Sequence, residues 1–143
     1  MTEILFNICN TLMILVWGFI LFAPNISFSK QLIAFPWVPI GISFFYTYFL
    51  IISGGISEAD LTSILGITTL FQNATTESAA AGWLHYLAFD FWVGTWIIRH
   101  SQKHFIRHWM IILPLIFTFM LGPVGVLIYG VIYAAKTQFK KAK

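Results

Sequence analysis

Four apolar runs, at about 4–23, 31–53, 77–99 and 109–135, dominate the chain. Each approaches the roughly 20 residues that an α-helix needs to cross a bilayer. Polar, glycine-bearing or proline-bearing stretches separate them. Backbone groups in hydrocarbon must be satisfied within their own segment, so runs of this length commit to helices. The balance of residues agrees. Of 143 residues, 59% are hydrophobic and 9% charged, with mean hydropathy +0.84, whereas soluble domains carry about 25% charged residues. The reading is a single integral membrane domain over residues 1–143, all-α, built as a four-transmembrane-helix bundle. The net charge of +3 comes from Lys and Arg placed beside the apolar runs. They read as membrane-surface anchors and not as a nucleic-acid face. Cys9 lies in the first run and packs as a small hydrophobe. Glu3 stands where a signal peptide would be basic, so the first run reads as a retained span.

The longest connection lies between runs two and three. Gly54-Gly55 ends the second run, which carries Pro36 and Pro39 in its first turns. Ser57 and Asp60 have the spacing of a capping box. Leu61, Ile64, Leu65 and Phe71 then share one helical face, which predicts a short interfacial amphipathic helix over about 58–72. Thr75 or Thr76 caps the third helix, with Glu77 at its positive end. Gly122-Pro123-Val124-Gly125 predicts a kink in the fourth. With four spans, the N-terminus, the long loop and the C-terminus share a side. That side holds Lys136, Lys140, Lys141 and Lys143, and the other holds Lys30, Arg99, Lys103 and Arg107. The count of cations ties, so orientation stays open.

Chemistry concentrates in the third run. Asp90 near the bilayer centre costs about 2.5–3.5 kcal/mol on insertion scales, which calls for a partner or a task. Gly82, Tyr86, Asp90 and Gly94 are four apart and form a stripe expected to face the bundle, with Asn10, Tyr46 and Tyr48 as hydrogen-bond partners of Asp90. His85 precedes Asp90 by five, so the two diverge by about 140° and lie about 7.5 Å apart along the axis. Both serve one site only if it is a wide cleft. The candidate acid–base residues are His85 and Asp90. The candidate ligand-lining residues are Asn10, Tyr46, Tyr48, Trp83, Tyr86, Arg107 and His108. The plainer reading has Asp90 locking helices through hydrogen bonds. His100, His104 and His108 would make one stripe on a continuous helix, a spacing that metal sites use. Membrane di-iron oxygenases use many more histidines than the four present. The stretch reads as a basic connection at headgroup level, with no metal and no cofactor expected.

The run Ala79-Ala80-Ala81-Gly82-Trp83-Leu84-His85-Tyr86-Leu87-Ala88-Phe89-Asp90-Phe91-Trp92-Val93-Gly94 resembles the signature of the abscisic-acid-deficient-four-like membrane proteins. The resemblance covers most of the chain. Ala23-Pro24, Phe45-Tyr46-Thr47-Tyr48-Phe49-Leu50, Arg107-His108 and Gly122-Pro123-Val124-Gly125 also match. Plant members are required for neoxanthin formation from violaxanthin, an isomerisation of an epoxide to an allenic alcohol. The resemblance implies a membrane protein that binds or processes a carotenoid- or isoprenoid-like lipid, as a cofactor-free isomerase with a His/Asp site. The competing class is a non-enzymatic structural or transport subunit whose Asp90 locks the bundle or passes a cation. The expected partners are the bilayer, an isoprenoid ligand and, as a homo-oligomer, further copies of the chain; an oligomer with Asp90 around a central axis would favour transport. The chain departs from plant members in a shorter connection between spans three and four. It is apolar from Ile4, without a plastid transit peptide, so the expected location is a bacterial inner membrane.

Overall fold

A computed structural model describes residues 1–55 and 60–141, with side chains through residue 138. Among these residues the structure is all-helical: α1 (Thr2–Phe22), α2 (Ser27–Ala34), α3 (Trp37–Ile52), α4 (Ile64–Gln72), α5 (Thr76–Lys103), a 3-10 turn (His108–Ile111), α6 (Ile112–Leu121) and α7 (Pro123–Lys141). By length and apolar composition, α1 is able to cross a bilayer, and so is the α2–α3 pair if it counts as one span. Large apolar side chains stand exposed along the outside, among them Trp83, Phe89, Trp92 and Trp96 on α5. A face this apolar marks a surface made for something other than water.

The second run is two helices, not the single continuous helix expected. Phe35 is extended at φ −136°, ψ 145°, because the ring of Pro36 clashes with a helical residue before it. The chain bends by 61° there, and α3 restarts with Pro39 in its first turn, where a missing N–H costs nothing. At the far end, Gly54 takes φ 88°. The Gly55 N–H then reaches Leu50 O and the Gly54 N–H reaches Ile51 O, closing the helix as the sequence predicts.

The amphipathic helix starts later than expected. The proposed cap at Ser57 and the start at Glu58 lie outside the described residues. Asp60 Oδ1 accepts from the Thr62 N–H and hydroxyl, and Oδ2 accepts from the Ser63 hydroxyl, a turn that competes with helix. These bonds, with the one from Ser63 largest, hold the Asp60 carboxyl down at about 2. Ser63 caps α4 instead, accepting from the Gly66 N–H at 3.0 Å. No residue of α4 is buried, so its apolar face with Leu65 (74% exposed) and Phe71 (66%) is not tucked against the bundle.

The fourth run departs furthest from expectation. It is a tight hairpin and not one kinked span. Gly122 sits at φ 41°, ψ −91° between α6 and α7, and α7 folds back until Gly125 lies directly on Pro114 and Thr118. Only a glycine permits that approach, since a Cβ would run into the Thr118 backbone. α6 descends alongside α5 from its C-terminal end, placing Phe119 against Trp17 at 5.3 Å. α7 then climbs back beside α5, with Tyr129 and Tyr133 against His100 at 5.7 and 4.9 Å.

α5 is the axis of the core. α1 runs parallel to it, tied by Thr2 donating to Glu77 at 3.1 Å and Trp83 Nε1 donating to Asn10 at 3.1 Å. Trp17 is buried at the crossing, edge-on to Phe91 at 5.5 Å and pressed onto Gly94. Among the described residues its Nε1 is buried without a hydrogen-bond partner. α3 packs along α5 in the opposite direction.

Candidate functional site

Asp90 lies in the middle of α5, half-buried, and points at the hairpin tip. The absent side chain of Gly122 makes room for it: a Cβ there would lie 2.6 Å from Asp90 Oδ1. The carboxylate opens into a cleft of about 310 Å³ walled by Trp83, Tyr86, Leu87, Phe119, Met120, Leu121 and Pro123. Apart from the tyrosine hydroxyl, the indole N–H and backbone, the lining is apolar. Asp90 makes no side-chain hydrogen bond among the described residues.

The expected partners are engaged elsewhere. Asn10 holds Trp83. The Tyr46 ring lies 5.6 Å from that of His85, and Tyr48 packs on Phe49 at 5.4 Å. The stripe expected to face the bundle does so at Gly94 and, against the hairpin tip, at Asp90. A Cβ on Gly82 would meet nothing within 4 Å, and Tyr86 is 58% exposed. Of this open part, Tyr86 lines the cleft beside Asp90 and Gly82 lies outside it. α6 enters only as far as Asp90 before turning back, so the hairpin does not cover this face of α5 below it.

His85 and Asp90 are not brought together. His85 is exposed on the α3 side, among Tyr46, Tyr86 and Phe89, while Asp90 faces the hairpin. The divergence read from helix geometry is realised, and the two groups open onto different helices. His108 Nε2 donates to Leu21 O at 2.8 Å, closing the last turn of α1, which is a structural post. Arg107 is exposed beside it. Trp83 forms a wall shared by the Asp90 cleft and a second cleft of about 500 Å³. The second cleft lies between the N-terminal halves of α1 and α5 and is lined by Thr2, Glu3, Phe6, Asn7, Thr76, Ala79 and Ala80. The sequence reading missed this cleft. Its signal was present as the small residues opening α5, which leave space opposite the polar turn of α1.

The histidine stripe is broken. α5 closes at His104 with Phe105 left-handed at φ 57°. The Ile106 N–H bonds Ser101 O at 2.9 Å and the Phe105 N–H bonds Gln102 O at 3.2 Å, so His108 leaves the helix. His100 Nδ1 pairs with Tyr129 Oη at 2.6 Å, and the His100 and His104 rings stand 4.3 Å apart. Among the described residues no cluster of three His, Cys, Asp or Glu is able to hold a metal ion.

The profile of the ABA DEFICIENT 4-like family matches residues 4–129. The chain belongs to the ABA DEFICIENT 4-like family. No curated protein and no solved structure matches it. The family match takes in Asp90, its cleft and the hairpin tip, and most of the second cleft but not Thr2 and Glu3, and ends at Tyr129. Membership in the ABA DEFICIENT 4-like family points to carotenoid- or neoxanthin-related processes, and the apolar helices point to association with a membrane.

Proposed function

We propose that this ABA DEFICIENT 4-like chain is an integral membrane protein that binds a carotenoid- or isoprenoid-like lipid along α5 and isomerises it with Asp90. In this reading α1, the bent α2–α3 pair and α5 cross the bilayer, while α6–α7 enters and returns. Non-helical backbone at that depth is tolerated where it lines a cavity, which is the situation of Gly122. The observation that carries the reading is one carboxylate in an aromatic-walled cleft that meets a second cleft at Trp83. From Ala79 to Asp90 the helix rises about 16 Å, a length suited to an extended apolar chain.

A single carboxyl is sufficient for the chemistry. Protonated Asp90 gives its proton to an epoxide oxygen as the C–O bond opens. The resulting carboxylate takes a proton from the polyene chain as the allene forms. Substrate and product are isomers, and Asp90 ends in its starting state, so no cofactor enters the balance. His85 has no part in this step.

The test is expression in a bacterial host that makes an epoxy-carotenoid, followed by chromatography of the pigments and an absorption spectrum of the purified protein. We expect bound polyene and an isomeric product. Asp90→Asn should keep the pigment and lose the product, and His85→Ala should keep both. If Asp90→Asn loses pigment and thermal stability together, Asp90 is a helix lock. If the wild-type protein neither binds nor converts the polyene, the reading is wrong.

A further inference from the structure

The hairpin redistributes charge between the two ends of the molecule. Because α7 climbs back beside α5, its last turns lie at the end where α5 finishes. Lys136 is in the last turns of α7, which continues through Lys140 and Lys141. Arg99, Lys103 and Arg107 surround the C-terminus of α5. Lys30 is on α2, beside the end of α1 that His108 ties to this same region. The opposite end carries Glu3, Asp60 and Glu77. No Lys or Arg lies there among the described residues. A continuous fourth span would have divided the cations evenly, whereas the fold-back gathers them.

We infer that the end carrying Lys30, Arg99, Lys103, Arg107 and Lys136 is a surface for anionic lipid headgroups of the cytoplasmic leaflet, so that the N-terminus and α4 lie on the far side of the membrane. The inference rests on the membrane reading above. Cations within a turn or two of a span end are retained on the cytoplasmic side, and anionic headgroups attract them over about a Debye length. Acidic residues contribute little to this bias, so the one-sided placement of Lys and Arg decides it. His100 and His104 lie at the same end and add charge of the same sign when protonated. The aromatic side chains Trp96 and Tyr133 flank them, where amphipathic rings suit the headgroup boundary.

Three single cysteines read the arrangement, in a Cys9→Ala background: Gln72→Cys on α4, Gln102→Cys at the end of α5 and Gln138→Cys on α7. All three positions are exposed. The full-length protein is expressed in a bacterial host and intact spheroplasts are treated with a membrane-impermeant maleimide. We expect labelling at 72 in intact cells, and at 102 and 138 only after permeabilisation. The reverse pattern would overturn the orientation while leaving the hairpin intact. Position 138 labelling together with 72, opposite to 102, would overturn the hairpin topology and the inference with it. Release of the protein from membranes by carbonate would sink the membrane reading itself. Replacing Lys30, Lys103 and Lys136 together with Gln should give a mixed population labelled from both sides. An unchanged pattern would show that these charges do not set the orientation.

Discussion

Gly122→Ala tests the contact at the centre of the site. Two costs add. An L-residue held at φ 41°, ψ −91° carries about 1–3 kcal/mol of backbone strain. Its Cβ would also lie 2.6 Å from Asp90 Oδ1. An ordinary contact is 3.4–4 Å, so the carboxylate must swing by roughly 0.8 Å or more into the cleft it borders, at about 0.5–1.5 kcal/mol for a side chain held off its rotamer. The single variant should therefore lose about 1.5–4.5 kcal/mol, the sum of these two costs. In an Asp90→Ala background the steric part vanishes and the strain remains. A double-mutant cycle should accordingly give a coupling of about 0.5–1.5 kcal/mol between the two positions. Tryptophan fluorescence of the purified protein, unfolded in a graded denaturing detergent, measures each corner. Equal losses in the two backgrounds would mean that Asp90 does not occupy the space at the hairpin tip, and the site geometry would be wrong.

Gly94→Ala places a Cβ 2.5 Å from Trp17 Cη2 and should cost about 1–3 kcal/mol by overpacking. Trp17→Phe removes both the offending ring and the buried Nε1 that lacks a partner, so the alanine should cost under about 1 kcal/mol in that background. The same unfolding assay reads both. His108→Ala deletes the bond to Leu21 O and should lose about 0.5–1.5 kcal/mol, with faster amide exchange in the last turn of α1. Asp60 is held at about 2 by Ser63 and Thr62. The ionised form is the one that accepts these bonds, so their contribution is complete above the ordinary carboxylate value and is lost as pH falls through about 2. The Thr62 amide resonance should titrate near that lower value, and a midpoint near 4 would refute the turn.

The sequence by itself determined the helices, the ends of several of them, and the family. Apolar runs of bilayer length have one backbone solution, and Gly54-Gly55, Pro36 and Thr75 act on neighbours a few residues away. Such local effects are written in local sequence. The isolated carboxylate at Asp90 was legible for the same reason, since its cost in an apolar run does not depend on the fold. What occupies the space around it was decided by tertiary structure. Gly122-Pro123 is compatible with a kink or with a full reversal. The choice falls to Gly125 seating on Pro114 and Thr118 and to Tyr129 and Tyr133 packing on His100, contacts between residues that sequence spacing does not bring together. That one reversal turns the expected fourth span into a hairpin. It opens the cleft below Asp90 and carries α7, with Lys136, to the end where α5 finishes.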